Sequence, residues 1–280
     1  MRKRDLTHFG IKWNPFSPDV PSEALMKTPR NDFFCARIEQ QIQEGGFTLV
    51  IGEPGVGKSV LLRQLSDYLK RLPDVTVGIV SRPQSTVADF YRELGDLFGV
   101  PMSVANRFGG FKSLRERWHT HIETTTCRPV LLYDEAQLAQ QKVLSELRIL
   151  SSANFDSTSI LTVILCGDDR LIQRLQHEEL KPLQSRIRFR FPMEALSKEH
   201  LISFVDHCLE TAGNTALMTK PVIESLADHS GGNYRTLTNL ANELLKAAIR
   251  KDLARIDEQL YFDTFAFSEK KASSKLSKSN

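Results

Sequence analysis

The chain has 280 residues, of which 41% are hydrophobic, and 37 Lys+Arg against 34 Asp+Glu give a formal net charge of +3. These values allow one large domain or two smaller ones with an apolar core, and they exclude a disulfide-stapled miniprotein, a coiled coil, a collagen and a wholly disordered chain. Residues 160–166, among the longest apolar runs, fall far short of the roughly 18 residues that a membrane helix needs. Four widely spaced cysteines without metal-ligand spacing predict reduced thiols in a cytoplasmic protein with no membrane partner.

The two ends of the chain differ in charge from its body. Residues 1–5 carry a net charge of +2 and residues 268–280 a net charge of +3, which leaves −2 for everything between them. Contacts with an acidic polymer would therefore come from the ends or from local basic patches. Prolines at positions 15, 18, 21 and 29 predict that the first 30 residues form an irregular or docked arm rather than a helix.

From residue 31 onward, apolar residues alternate between helical and strand spacing. Strands are predicted at 47–51, 75–80, 130–133 and 160–166, and helices at 31–44, 59–72, 85–98, 111–124 and 137–150. Continuous apolar strands separated by helices indicate an α/β fold with a parallel sheet covered on both faces. After residue 197 only helical patterns remain, at 197–212, 219–228, 235–251 and 257–262. We therefore expect an arm (1–30), an α/β domain (31–193), a helical lid domain (194–265) and a disordered basic tail (266–280).

A phosphate-binding motif lies between the first predicted strand and the next helix. The sequence matches G-x-x-x-x-G-K-[ST], and we expect nucleotide contacts from Gly52, Glu53, Pro54, Gly55, Val56, Gly57, Lys58, Ser59 and Val60. The glycines let backbone N–H groups point into one concavity at the positive end of a helix dipole. Lys58 can neutralise the β- and γ-phosphates, and Ser59 offers a hydroxyl to Mg²⁺. The motif therefore predicts a site for ATP and Mg²⁺.

Two adjacent carboxylates, Asp134 and Glu135, follow the predicted strand 130–133. Asp134 can hold Mg²⁺ through water beside the Ser59 hydroxyl, and Glu135 can orient or deprotonate the attacking water. Such a pair alone is more typical of a helix start, but combined with the phosphate loop it predicts an ATP hydrolase.

Positive charge for phosphoryl transfer is available from arginines further along the chain. The first candidate for an arginine that acts on the ATP of a neighbouring subunit is Arg186, and the second is Arg188. The alternative is that both belong to a strand whose arginines face solvent. Arg235 begins a helix of the lid, where it either reports on the γ-phosphate or lies on the surface. Asp168, after strand 160–166, is the remaining candidate for sensing phosphate.

This order of parts resembles an AAA+ ATPase, and more closely its ExeA-like group, whose plan is shared by DNA transposition ATPases of the TniB, TnsC, MuB and IstB types. The resemblance spans roughly residues 9–262; besides the phosphate loop it includes Trp13-Asn14-Pro15-Phe16, Gly46-Phe47-Thr48, Asp134-Glu135-Ala136-Gln137 and Gly231-Gly232-Asn233-Tyr234-Arg235. It implies that Lys58 and Ser59 contact phosphate and Mg²⁺, that Asp134 contacts the metal and that Glu135 is the catalytic base. It also implies that Arg186 is an arginine finger, which acts on the ATP of a neighbouring subunit, and that Arg235 is the second sensor. One departure is Gly167-Asp168, because AAA+ proteins commonly have a neutral Asn, Ser or Thr as first sensor at this position. A carboxylate facing phosphate would be repelled, which argues against a sensor role for Asp168.

The resemblance implies a DNA-binding regulator of transposition, a homo-oligomeric ring or filament that assembles on double-stranded DNA with ATP and recruits or activates a transposase. The candidates for contact with DNA phosphates lie around the Gly109-Gly110 turn, with ordinary solvated side chains as the alternative: Arg107, Lys112, Arg115 and Arg117. The alternative is a secretion-assembly ATPase of the ExeA type, which normally continues into a membrane span; because this chain ends in Lys- and Ser-rich residues, we favour transposition. A scaffold switch that binds nucleotide and hardly hydrolyses it is a third hypothesis, against which Glu135 argues.

Overall fold

The chain divides into two compact units. The computed structural model describes residues 1–101, 107–154 and 157–265, without the side chains of residues 107 and 108. Lys27–Glu194 form an α/β unit, and Met1–Met26 form a helical unit together with the described residues from Ala195 onward. The tail predicted at 266–280 lies outside the described residues. Within the described ranges, no helix combines the length and apolarity that crossing a bilayer requires.

The helices in the described part of the chain begin and end as follows: α1 (Lys3–Phe9), α2 (Pro29–Ile42), α3 (Lys58–Leu69), α4 (Val87–Phe98), α5 (Arg107–Thr125), α6 (Gln141–Ser151), α7 (Asp169–Leu175), α8 (Lys181–Gln184), α9 (Lys198–Ala212), α10 (Lys220–His229) and α11 (Tyr234–Arg250). Residues 258–265 are also helical. The strands are β1 (Gly46–Gly52), β2 (Val75–Val80), β3 (Arg128–Tyr133), β4 (Ser152–Ala153), β5 (Thr158–Ser159), β6 (Thr162–Gly167) and β7 (Ile187–Met193).

The α/β unit is built on a five-stranded parallel sheet in the order β2-β3-β6-β1-β7. Strands β1 and β6 are buried along their whole length, which explains why they appear in the sequence as continuous apolar runs. One apolar core packs α2 and α3 on one face, around Phe34 and Leu65. The other packs α4, α5 and α6 on the opposite face, around Phe90, Trp118 and Leu147. The predicted α/β fold with helices on both faces is therefore confirmed.

The helical unit joins the beginning of the chain to its C-terminal part. The arm was predicted to lack helix, and this is wrong for Lys3–Phe9, because the prolines begin only at residue 15. The Asp5 carboxylate accepts from the backbone N–H of Arg2 at 2.9 Å, and Gly10 ends the helix with a left-handed φ of 63°. Phe9 and Phe16 are buried in the core of this unit with residues from α9, α10 and α11.

A pair of asparagines holds the arm onto α11. Asn14 Nδ2 donates to Asn242 Oδ1 at 2.7 Å, and Asn242 Nδ2 donates to the Phe16 carbonyl at 3.0 Å. The Phe16 N–H in turn donates to Asn14 Oδ1 at 3.1 Å. Each amide therefore satisfies a half-buried polar group that the docked arm would otherwise leave without a partner.

Replacing Asn242 with Ala is expected to lower the free energy of unfolding by about 1–3 kcal/mol, because it removes the partners of the Asn14 amide and the Phe16 carbonyl. Urea unfolding followed by circular dichroism measures the change. Asn239→Ala, an exposed position on the same helix, is the matched control and should shift stability by less than about 0.5 kcal/mol. Equal stability of the two variants would contradict the assigned role of Asn242.

Candidate functional site

The predicted phosphate loop connects β1 to α3, as its sequence requires. Gly55 and Gly57 have φ values of 93° and 98°, in the left-handed region that favours glycine, and α3 begins at Lys58. The Lys58 side chain is turned into the loop, where Nζ donates to the carbonyls of Gly52 at 2.8 Å and Glu53 at 3.0 Å. Only 6% of Lys58 is exposed. A buried ammonium at the N-terminal end of a helix makes this loop strongly suited to an anion.

Ser59 and Asp134 meet, although they are far apart in the chain. The Ser59 hydroxyl donates to Asp134 Oδ2 at 2.7 Å. The two residues follow β1 and β3, which both flank β6 in the parallel sheet, so their carboxyl ends lie at the same edge. A hydroxyl and a carboxylate are hard oxygen donors of the kind that Mg²⁺ binds beside nucleotide phosphates. The donor set therefore fits the predicted metal, with Ser59 and Asp134 as the residues that would hold it.

Glu135 lies beside this pair with its side chain exposed. Its backbone has a φ of 52°, and its N–H donates to Asp134 Oδ1 at 2.9 Å. A short 3₁₀ turn, Ala136–Leu138, follows at once, and Gln137 Nε2 donates to Glu135 Oε2 at 2.6 Å. A non-glycine residue in this left-handed region carries backbone strain, which is found at many active sites.

A buried thiol lies close to Asp134. Cys166, in β6, is fully buried, and burial together with the nearby Asp134 carboxylate raises the pKa of its thiol well above the ordinary value. The thiol stays protonated at neutral pH and forms a neutral wall next to Asp134. All four cysteines of the chain lie in described residues and are free.

Asp168 carries a negative charge that is paired. Its carboxylate caps α7 by accepting from the Arg170 N–H at 3.0 Å, and it binds the Arg170 guanidinium in a bidentate pair with contacts of 2.6–3.1 Å. The hydrogen bonds from Arg170 lower the pKa of Asp168, and the charge of Lys58 acts in the same direction. Because the Arg170 guanidinium neutralises the Asp168 carboxylate, the repulsion between this carboxylate and a bound phosphate is weaker than expected from Asp168 alone. Arg170 belongs to no motif of the sequence, because its role depends on this side-chain pairing.

Arg186 lies at the opposite end of the sheet from the phosphate loop. Its carbonyl accepts from the Phe47 N–H at the start of β1, whereas the loop follows Gly52 at the end of that strand. Five residues of strand separate the two positions by roughly 17 Å, more than an arginine side chain spans. Arg186 donates to the Pro182 carbonyl, and Arg188 forms an ion pair with Glu44 at 2.5 Å.

The other candidate residues are distributed over both units. Arg235 lies in the first turn of α11 in the helical unit, and Val60 is 42% exposed in the first turn of α3. Lys112 is exposed on α5 and pairs with Glu116 at 3.6 Å. The Arg115 guanidinium is engaged internally, because it donates to the carbonyls of Ile149, Leu150 and Ser152 at the end of α6. The side chain of Arg107 lies outside the described part of the chain.

The strand order and the loop after β1 define the fold of an AAA+ P-loop NTPase. Residues 40–175 match a family model described as an AAA domain. This segment contains the phosphate loop, Asp134, Glu135 and Asp168, so the family match and the observed cluster coincide.

The sequence is similar to General secretion pathway protein A of Aeromonas hydrophila, with 30% identity over 254 residues. The match covers 89% of this chain and 45% of that relative, so the chain spans less than half of the relative's length.

Among solved structures, the Aeropyrum pernix ORC2 protein in its ADPNP-ADP complexes is similar with a TM-score of 0.72 and 15% identity, over 91% of this chain and 71% of the other. The Aeropyrum pernix ORC1 protein in complex with DNA gives a TM-score of 0.64 and 16% identity, over 91% of this chain and 69% of the other. At these identities the likeness concerns the fold.

Proposed function

We propose that the protein is a Mg²⁺-dependent ATP hydrolase that works as a homo-oligomer. The observation that carries the proposal is the hydrogen bond of 2.7 Å between Ser59 and Asp134, next to the buried Lys58 and the exposed Glu135. These four side chains supply a hydroxyl and a carboxylate for a metal, a cation for phosphate and a base for water.

Each side chain has a distinct part in the proposed reaction. Lys58 uses two N–H groups on loop carbonyls, which leaves a third for a phosphate oxygen. Glu135 orients the attacking water and takes its proton, because an exposed carboxylate beside Asp134 is accessible to solvent. Bound Mg²⁺ would neutralise phosphate charge, held by Ser59 and Asp134.

Lys58→Ala is expected to abolish ATP binding, whereas Glu135→Gln should bind ATP and lose hydrolysis by about 10²–10⁴-fold, because only the base is removed. A fluorescent ATP analogue measures binding, and phosphate release measures hydrolysis. Glu178→Gln, an exposed carboxylate outside the site, is the control and should behave like the unaltered protein. Equal hydrolysis by Glu135→Gln and the unaltered protein would remove Glu135 from the role of base.

The oligomer is proposed because Arg186, the first candidate for an arginine that acts on ATP, lies at the wrong end of the sheet to serve its own site. Arg186 is at the amino end of β7 and the phosphate loop at the carboxyl end of β1, and these two strands are parallel. In the proposed role, Arg186 therefore acts on the phosphate loop of another copy of the chain. Head-to-tail contacts of this kind generate rings when they close and helical filaments when they do not.

Arg186→Ala should lose hydrolysis while keeping ATP binding, and mixing it with Lys58→Ala should restore part of the activity. In the mixed oligomer, the Lys58→Ala subunit supplies Arg186 to the intact phosphate loop of its neighbour. Arg190→Ala, an exposed arginine of the same strand, serves as the control that retains activity by itself. If the mixture stays as inactive as its two components, Arg186 does not act in trans.

We further propose that double-stranded DNA is the partner on which the oligomer assembles, and that it regulates transposition by recruiting or activating a transposase. The resemblance to transposition ATPases supports this proposal, as does a fold shared with a protein solved in complex with DNA. On α5, Lys112 is the exposed candidate for phosphate contact, since Arg115 caps α6.

Assembly of a secretion system is the second candidate function. The observation in its favour is the 30% identity to General secretion pathway protein A over 89% of this chain. The two candidates share the ATPase site and differ in whether DNA is the partner.

The size of the protein complex, measured with and without duplex DNA and a non-hydrolysable ATP analogue, distinguishes regulation of transposition from assembly of a secretion system. We expect a large complex only with both, and weaker DNA binding for Lys112→Glu than for Lys142→Glu, a control with the same charge change at an exposed position of α6. If DNA changes neither size nor hydrolysis, the DNA proposal fails and secretion assembly is favoured.

A further inference from the structure

We propose that Gln137 is a positioning residue that holds the Glu135 carboxylate in place for catalysis, which rests on the proposed hydrolysis of ATP. The two residues are joined by one direct contact, because Gln137 Nε2 donates to Glu135 Oε2 at 2.6 Å. The Asp134-Glu135-Ala136-Gln137 element of the resemblance includes Gln137 but gives it no role.

The contact links an exposed side chain to a buried one. Glu135 is exposed, whereas only 6% of Gln137 is accessible. A solvent-exposed glutamate has several free rotatable bonds and samples many rotamers, whereas a buried amide is confined by packing. A fixed donor at 2.6 Å therefore restricts the carboxylate to the orientation that the amide dictates, and this is the restriction a general base requires.

The Gln137 amide is held in one orientation. Its Oε1 is buried and has no hydrogen-bond partner in the described part of the chain. A flipped amide would place this oxygen against the Glu135 carboxylate, where two acceptors repel each other. Burying the Oε1 acceptor without a partner costs free energy. The favourable hydrogen bond of this amide is therefore the one that its Nε2 group donates to Glu135.

Space for the amide depends on the end of β6. A Cβ atom added at Gly167 would lie 2.5 Å from Gln137 Oε1, closer than real Cβ contacts allow. The backbone is also held from this side, because Arg174 of α7 donates to the Gln137 carbonyl. Gln137, which contacts the proposed general base, is thereby packed against the end of β6 and hydrogen-bonded to α7.

Two variants of Gln137 test the inference. Gln137→Met keeps the length of the side chain and removes the donor, and Gln137→Glu keeps the shape and replaces the donor with an acceptor. We expect kcat for ATP hydrolysis to fall by about 10–100-fold in both, while KM and the affinity for a non-hydrolysable ATP analogue stay within about 2-fold. Gln140→Met, an exposed glutamine at the start of the next helix, is the matched control with unchanged kcat.

A double-mutant cycle separates positioning from a merely structural effect. If Gln137 acts through Glu135, then Gln137→Met should have little further effect on single-turnover hydrolysis in a Glu135→Gln background. An equal loss in both backgrounds, or an unchanged kcat in Gln137→Met, overturns the inference. Thermal unfolding reports whether Gln137→Glu folds. If it does not fold, Gln137→Met and the double-mutant cycle still test whether Gln137 positions Glu135.

The unaltered protein distinguishes failure of this inference from failure of the proposed function. Hydrolysis by the unaltered protein together with full activity of Gln137→Met refutes the positioning role alone. Absence of hydrolysis under all conditions of DNA and Mg²⁺ refutes the ATPase and the positioning role together.

Discussion

The structure of the site depends on the parallel alignment of β1, β6 and β3. Since the three strands are neighbours and run in the same direction, their carboxyl ends meet at one edge of the sheet. Ser59 follows the first, Asp134 the third, and Gly167 ends the strand between them. The Ser59–Asp134 hydrogen bond crosses this edge, and burial of the strands on both faces keeps the two groups within bonding distance.

The same alignment places Arg186 where it cannot serve its own loop. β7 is parallel to β1, so the arginine that precedes β7 lies at the amino end of the sheet. If this residue takes part in hydrolysis, a complete site contains groups from two copies, and activity depends on assembly. Coupling of this kind lets a bound partner regulate hydrolysis by favouring or opposing the oligomer, without any contact to the nucleotide.

Side-chain pairing explains residues for which the sequence patterns gave no role. Arg170 compensates Asp168, and Gln137 contacts Glu135, but neither pair has a spacing that is specific enough to indicate a function. Arg115 shows the reverse case, since it belongs to a basic cluster in the sequence and caps α6 in the fold. Helix α1 was missed because the proline-rich pattern of residues 15–29 was extended to the first residues of the chain.

The sequence by itself determined the sheet strands with continuous apolar runs, the phosphate loop and the Asp-Glu pair, because these depend on local periodicity and on residues close together in the chain. Edge strand β7 was not among the predicted strands and appeared only as the alternative for the arginines, since Arg188 and Arg190 alternate with half-buried or buried apolar residues on a strand paired on one side only. The two motifs already predicted Ser59 and Asp134 at one metal. Only the tertiary structure decided which strand lies beside which, and therefore that these two side chains are joined by a direct hydrogen bond and that Arg186 lies far from its own loop. Strand order arises from the packing of the whole sheet between two helical layers, and no local stretch of sequence encodes it.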